Sequence, residues 1–369
     1  MPRIDHVIES EYFESFRTAQ VAGMFDIAPE AKLQRRWQID MPIEERDWQI
    51  GLIAGPSGSG KTQISRAMFG KTAYHNGFVW PRNKAVLDGF AKDLRNHDIV
   101  AMLSGVGFSS PPQWLLPFRA LSAGQQARAE LARLILDKRP LVVCDEYSST
   151  VDRIVAKTMS HAAAKSVRRT DKQFVAVSCH SDILPWLCPD WTYDTASGEF
   201  AWRCLQRPPV ELAVRRCHAD AWRLFRAHHY LSGGCNPSAQ CWLATIDDRP
   251  VGFIATINFL HAAYRRTKRE HRVVVLPDYQ GIGIGNQLSE HIAQHYLDMG
   301  KRYLAVTSHP AMIGHRIRSA LWRLRRAPGM VGVSRSHSRR LRRVHSSRRL
   351  TASFEYVGQS AVQCGETTA

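Results

Sequence analysis

The octet Gly55-Pro56-Ser57-Gly58-Ser59-Gly60-Lys61-Thr62 has the composition and spacing of a loop that wraps a phosphate. Glycines at 55, 58 and 60 let the backbone curl so that its N–H groups converge on one anion. Lys61 can then reach the outer phosphates of a nucleotide, and the Thr62 hydroxyl can ligate Mg²⁺. Further on, Leu141-Val142-Val143-Cys144 reads as an apolar strand ending in Asp145-Glu146. Carboxylates at the carboxyl end of a central strand lie where an open α/β sheet binds its ligands. Asp145 suits a Mg²⁺ held through water, and Glu146 suits a general base that orients the attacking water. Ser122-Ala123-Gly124-Gln125 opens an amphipathic helix over 127–136, with Ser122 as its N-cap, and so offers N–H groups to a phosphate. His180 follows another apolar run, 174–178, and can donate to a γ-phosphate.

A second glycine-rich segment, Gln280-Gly281-Ile282-Gly283-Ile284-Gly285, separates a β-branched run from a long amphipathic stretch. Its N–H groups can cradle a pyrophosphate. It is not a dinucleotide fingerprint: Leu276-Pro277-Asp278 is a loop, and no acid stands about 20 positions downstream on a second strand.

Positioning these groups requires strands that run into loops. The sequence predicts a buried strand over 48–54 and a helix over 63–69, after a preamble with a short helix at 9–17 and a short strand at 37–40. A strand is expected at 99–103, a break at Ser109-Ser110-Pro111-Pro112, and a helix over 152–166. Short strands near 192–193 and 200–204 close the first half, and Pro208-Pro209 marks a boundary. The second half reads as a helix at 217–229, then a hairpin of 242–246 and 251–258 across Asp247-Asp248-Arg249-Pro250. A strand at 271–276, a helix at 286–298, a strand at 302–307, loop plus helix at 309–324 and a strand at 354–357 follow. This alternation predicts a mixed sheet with helices on its faces.

With 369 residues, the chain has room for two cores. No apolar run approaches the ~20 residues of a membrane span, and the start lacks a signal-peptide pattern. The sequence therefore predicts a soluble, cytoplasmic protein. Its eight cysteines contain no C-x-x-C pair, which fits a reducing compartment, and Cys235, Cys241, His228 and His229 lack zinc spacing. Charge is unevenly placed: residues 1–205 carry 25 basic and 23 acidic side chains, residues 206–369 carry 25 and 10. A second half this basic predicts a polyanionic partner such as nucleic acid. Twelve arginines and no acid lie between 314 and 349. The densest part, with Arg335, Arg339, Arg340, Arg342 and Arg343, cannot pack a core and should be a basic loop that grips phosphates.

The motifs of the first half, in this order and spacing, resemble those of ABC-type ATPases. Residues 55–62 are similar to the Walker A loop, 121–125 to the signature motif and 141–146 to Walker B. Ser149-Thr150-Val151-Asp152 resembles the D-loop, and His180 the switch histidine. The resemblance covers about 25–205. It implies ATP and Mg²⁺ as ligands, and a homodimer in which each phosphate loop faces the partner's signature across ATP. Two features depart from the family. Only 61 residues separate Lys61 from Ser122, leaving Gln113 as the candidate Q-loop residue, and the adenine-stacking aromatic falls to Phe25 or Trp37. The reduced region is the one that couples transporter ATPases to membrane subunits, which argues against transport.

The second glycine segment resembles the acetyl-CoA loop of GNAT-type N-acetyltransferases, Arg/Gln-x-x-Gly-x-Gly/Ala, with Gln280, Gly283 and Gly285 as matches and Gly281 within the loop. The likeness covers about 210–357. It implies that the strand ending at Val275 pairs with the pantetheine arm of acetyl-CoA or another acyl-CoA, and that the helix start binds its pyrophosphate. Ser308 and His309, following the strand at 302–307, fall where the family offers a polar group to the leaving thiolate. His229, Tyr230 and Tyr356 are further candidates near the acceptor. His228-His229-Tyr230-Leu231-Ser232 also faintly resembles a helix end of phage Mom-type DNA-modifying enzymes, which share this fold.

The expected organisation is α/β: a P-loop ABC-type nucleotide-binding domain over 1–205, then a GNAT-like mixed-sheet domain over 206–358. The latter would hold an Arg-rich insertion at about 325–349, and 359–369 would form a disordered tail. The expected function is ATP-gated acyl transfer to nucleic acid or a nucleic-acid-bound substrate. A nucleic-acid clamp or motor with a non-catalytic GNAT-like module is the alternative, and a transporter ATPase subunit the weakest.

Overall fold

Ile50–Ala54, Leu141–Cys144 and Gln173–Ser178 are apolar along almost their whole length, the pattern of strands buried on both faces of a parallel sheet. The computed structural model describes residues 3–10, 13–26, 33–75, 77–203, 205–229, 234–260, 266–330 and 350–358. Tyr230, the arginines at 335, 339, 340, 342 and 343, and the tail at 359–369 lie outside the described residues. The chain forms two compact units that interleave in sequence. One comprises Met1–Phe78, Asp137–Thr150 and Val167–Arg207; the other comprises Val79–Leu136, Val151–Ser166 and Pro208–Ala369.

The first unit holds a six-stranded sheet in the order Tyr74–His75, Leu141–Cys144, Gln173–Ser178, Ile50–Ala54, Trp191–Asp194, Phe200–Trp202. All neighbours are parallel except the last pair, a hairpin. Trp191 anchors the core, with Trp48 set edge-on at 5.3 Å and Phe69 stacked at 6.2 Å. A separate antiparallel pair joins Arg3–Ser10 to Leu33–Asp40. The expected helix at 9–17 is displaced: the chain pairs as a strand to Ser10, and the helix is Phe16–Met24. Its start is set by Ser15, whose hydroxyl accepts from Thr18 N at 3.2 Å while Ser15 N donates to Thr18 Oγ1 at 2.8 Å, a reciprocal cap.

The second unit contains a seven-stranded sheet in the order Trp322–Met330, Leu350–Tyr356, Arg302–Thr307, Thr267–Val275, Arg249–Asn258, Gln240–Ile246, Ala213–Cys217. One neighbouring pair, Thr267–Val275 with Arg302–Thr307, is parallel, and the helix Ile284–Asp298 makes the crossover. That helix buries Leu288, Ile292 and Tyr296 against Trp242, Ile254, Tyr303 and Phe354.

Three expectations are corrected here. Residues 99–103 lie in a helix, Asn96–Gly105, which buries Ile99 and Leu103 at a spacing of four, with Asp98 in its first turn. The expected helix at 217–229 is the end of the strand Ala213–Cys217 followed by short helical turns, with Trp222 and Phe225 buried three apart. Beyond the helix Pro310–Arg318, the chain forms the strand Trp322–Met330, so Arg325 and Arg326 extend a sheet edge.

Candidate functional site

Three adjacent parallel strands of the first unit bring the nucleotide motifs to one sheet edge. Ala54 pairs beside Ser178, and Cys144 beside Ala176. The phosphate loop, Asp145-Glu146 and His180 therefore all leave the sheet from its carboxyl edge. Lys61 and Thr62 open the helix Lys61–Ala73. The buried Lys61 directs its ammonium into the loop, donating to the carbonyls of Gly55 at 3.0 Å and Pro56 at 2.7 Å. Thr62 Oγ1 donates to Asp145 Oδ2 at 2.8 Å, and the Tyr74 hydroxyl donates to the same oxygen. A hydroxyl and a carboxylate held this close fit the hard oxygen donors of Mg²⁺.

Glu146 is exposed, and its backbone sits at φ +51°, a region side-chain-bearing residues seldom adopt. Asp145 Oδ1 accepts from Glu146 N at 3.0 Å, and Ser149 Oγ donates to the Glu146 carbonyl at 2.7 Å, so the turn is fixed on both sides. His180 is half-buried, with its N–H donating to Ser178 Oγ at 3.1 Å. Of the two aromatics left open by the sequence, Trp37 lies on the loop. Its Nε1 donates to the Ser59 carbonyl at 3.2 Å, and a Cβ on Gly60 would stand 2.6 Å from its ring. Phe25 is exposed at the end of Phe16–Met24. Tyr74 and the placement of Trp37 were not readable from local sequence, because both depend on strand pairing.

In the second unit, Ser122 caps the helix Ala123–Ile135, with its N–H donating to Gln125 Oε1 at 3.1 Å. Gln125 Nε2 donates in turn to Gln113 Oε1 at 2.8 Å, so the candidate Q-loop side chain touches the signature segment. A Cβ on Gly124 would meet Val155 at 3.2 Å.

The glycine segment at 280–285 joins the strand Thr267–Val275 to the helix Ile284–Asp298, whose N-cap is Gly283. That strand pairs with Arg302–Thr307 only from Thr267 to Arg269, opposite Arg302 to Leu304. Beyond Arg269 the two parallel strands part, leaving a gap in the sheet beside the glycine segment. The point of divergence is braced by a buried ion pair: Arg316 Nη2 lies 2.9 Å from Glu270 Oε2 and 2.8 Å from Ser289 Oγ, and the guanidinium stacks over Trp322 at 4.3 Å. The Val275 carbonyl accepts from Gln280 Nε2 at 2.9 Å.

His309 caps the helix Pro310–Arg318. Its Nε2 lies 3.2 Å from the Ser109 carbonyl, which assigns the ring proton there, and burial lowers its pKa. Nδ1 then carries a lone pair with no partner among the described residues. Tyr356 packs in the core against Trp322, and its hydroxyl donates to Gln294 Oε1 at 3.1 Å. His229 packs edge-on to Trp222 at 5.5 Å. On the strand beside the gap, burial and the charges of Arg272 and Arg269 push His271 down to about 4, and its Nε2 accepts from Asn236 N at 3.2 Å.

Residues 237–317 match the family model described as "Acetyltransferase (GNAT) domain". Elsewhere the chain is 31% identical over 162 residues to a cytochrome c biogenesis ATP-binding export protein of Rhodospirillum rubrum, spanning 36% of this chain and 68% of that protein. It is 30% identical over 159 residues to an aliphatic sulfonates import ATP-binding protein of Paracoccus denitrificans, spanning 38% and 65%. A solved ATP-binding cassette, a dimeric post-hydrolysis state bound to ADP and phosphate, is similar with a TM-score of 0.38 and 12% identity, spanning 54% of this chain and 100% of that one. The chain belongs to the ABC-type ATPases, and it joins that module to an acetyltransferase (GNAT) domain. Among the described residues, no helix is long and apolar enough to cross a membrane.

Proposed function

We propose that residues 1–205 bind and hydrolyse ATP and that residues 206–358 transfer an acyl group from acetyl-CoA or another acyl-CoA to an amine on nucleic acid or on a nucleic-acid-bound substrate. The observation carrying the transfer reading is the gap that opens after Arg269 between two parallel strands, beside the start of a 15-residue helix. Unpaired strand edge on that side can hydrogen-bond an extended amide-bearing arm, and the helix start favours a pyrophosphate. Bound acyl-CoA supplies a thioester to the attacking amine. His309, whose Nδ1 has no partner among the described residues, is the polar group proposed near the leaving thiolate, and its burial keeps the ring neutral. On the nucleotide side, Lys61, Thr62 and Asp145 hold the phosphates and Mg²⁺, Glu146 activates water, His180 contacts the γ-phosphate, and Ser122, Gly124 and Gln125 serve a second copy of the chain across ATP.

The nucleic-acid acceptor rests on the excess of 25 basic over 10 acidic residues in 206–369. Mixing the protein with acetyl-CoA and then with DNA or RNA should release thiol; acetyl-CoA binding without thiol release on any nucleic acid would favour the clamp reading instead. Undetectable binding of single- and double-stranded nucleic acid at low salt would remove the acceptor class.

Trp37, set on the phosphate loop, is proposed as the adenine platform. Trp37→Ala should weaken ATP binding by about 5- to 150-fold, the worth of one base–aromatic stack, read as the Kd for ATP by calorimetry. An unchanged Kd would return the role to Phe25 or to neither.

A further inference from the structure

The loop at 277–281 is gripped from outside the acetyltransferase sheet. Arg128 lies six residues beyond Ser122 on the helix Ala123–Ile135 and is only 2% exposed. Its Nη1 donates to the Pro277 carbonyl and to the Gly107 carbonyl at 3.2 Å. Its Nη2 donates to the Asp278 carbonyl at 3.3 Å and to Thr158 Oγ1 at 3.2 Å, and Thr158 Oγ1 itself lies 2.7 Å from the Asp278 carbonyl. Ser109 N donates to Gln280 Oε1 at 3.0 Å, and the Ser109 carbonyl accepts a hydrogen bond from His309 Nε2 at 3.2 Å. Behind these bonds the two backbones are in contact. A Cβ on Gly107 would stand 2.6 Å from the Gln280 carbonyl oxygen, and one on Gly281 would stand 2.8 Å from Gly107 Cα and 2.9 Å from Ala162 Cβ.

A buried guanidinium that donates to three backbone carbonyls and one hydroxyl, with its Nε already unpartnered among the described residues, cannot let go of them cheaply, because each lost acceptor leaves a further desolvated donor. The loop therefore follows the helix as one piece. That helix is the one Ser122 opens.

We propose that Arg128 is a positioning residue for the acyl-CoA loop, locking it to the signature helix so that nucleotide and acyl-CoA binding are energetically coupled through that helix. This rests on the reading of 280–285 as the acyl-CoA loop. Whatever the nucleotide does to the helix then changes the geometry of the loop, and linkage requires acyl-CoA to change nucleotide affinity by the same factor.

The test is a pair of reciprocal titrations on the full chain, with acetyl-CoA and with the non-hydrolysable analogue AMP-PNP plus Mg²⁺. In the unaltered protein, saturating AMP-PNP should change the acetyl-CoA Kd by about fivefold or more, and acetyl-CoA should change the AMP-PNP Kd by the same factor. Arg128→Met should bring both factors close to one while each ligand still binds alone. Gly107→Ala, which wedges the same junction without altering charge, should do likewise and serves where the arginine variant does not fold. A merely structural arginine would shift the melting temperature and leave the coupling factor intact. The proposal is overturned if acetyl-CoA binds the unaltered protein with the same Kd with and without AMP-PNP, or if a folded variant keeps the full factor. Failure of the unaltered protein to bind acetyl-CoA at all is a different result: it overturns the acyl-CoA reading, and this proposal with it.

Discussion

Glu146→Gln should lower ATP turnover by about 100- to 10,000-fold, the usual contribution of a positioned general base, while ATP binding persists. The substitution keeps the size and shape of the side chain and removes its basicity. Thr62, Asp145 and Lys61, the residues proposed to hold the phosphates and Mg²⁺, keep their own hydrogen bonds in it. The strained backbone at Glu146 supports the role. A residue at φ +51° costs about 1–3 kcal/mol of stability and persists only because the surrounding structure, here the bonds to Asp145 and Ser149, imposes it. Glu146 follows Asp145 at the carboxyl edge of the sheet, the edge from which the strand Ile50–Ala54 runs into the phosphate loop. With hydrolysis slowed, the ATP-bound state should accumulate. If two chains close on ATP, the variant should therefore elute as a dimer in ATP and Mg²⁺ and as a monomer without nucleotide. Phosphate release within about threefold of the unaltered protein would assign the base elsewhere; slow hydrolysis with no change in mass would leave the base in place and remove the sandwich.

How much of this was legible in the sequence depends on how local each feature is. The phosphate loop and Asp145-Glu146 are readable because their chemistry needs contiguous residues in a fixed order, and the structure brings them to one edge through the pairing of three apolar strands. The hairpin at 240–258 is readable for the same reason, since the alternating strands flank an Asp-Asp turn. Residues 99–103 are too short an apolar run for periodicity to decide, and burial of Ile99 and Leu103 settles them as helix. The sequence places 322–324 at the end of a loop plus helix and 325–330 in an Arg-rich insertion, yet an edge strand is where a sheet tolerates charge: Trp322 is buried, while Arg323, Arg325 and Arg326 are exposed. The pair Glu270–Arg316 spans 46 residues, and Arg128 reaches a loop 149 residues away. No local pattern marks such partners; each is an unremarkable charge until the fold buries it.

Gly283→Trp should weaken acetyl-CoA binding by about 10-fold or more and leave nucleotide binding in place. Gly283 is the N-cap of Ile284–Asp298 at φ +101°, and no heavy atom lies within 4 Å of where its Cβ would be. An indole there meets open space rather than the core, so the change acts by filling the cradle and by straining the turn that shapes it. Losing one or two charge-assisted hydrogen bonds to a pyrophosphate, each worth about 1.5–3 kcal/mol, weakens binding by about 10-fold to roughly 20,000-fold. Gly285 provides the control. A Cβ there would meet Val275 Cγ2 at 3.5 Å, an ordinary contact, so Gly285→Ala should bind acetyl-CoA within about threefold of the unaltered protein. The two substitutions sit two residues apart on the same turn and differ in what they place over its N–H groups. If both variants bind acetyl-CoA normally, the pyrophosphate does not rest on this helix start. If both lose it, the segment is sensitive to any side chain, and the turn's conformation rather than blockage of the cradle controls binding.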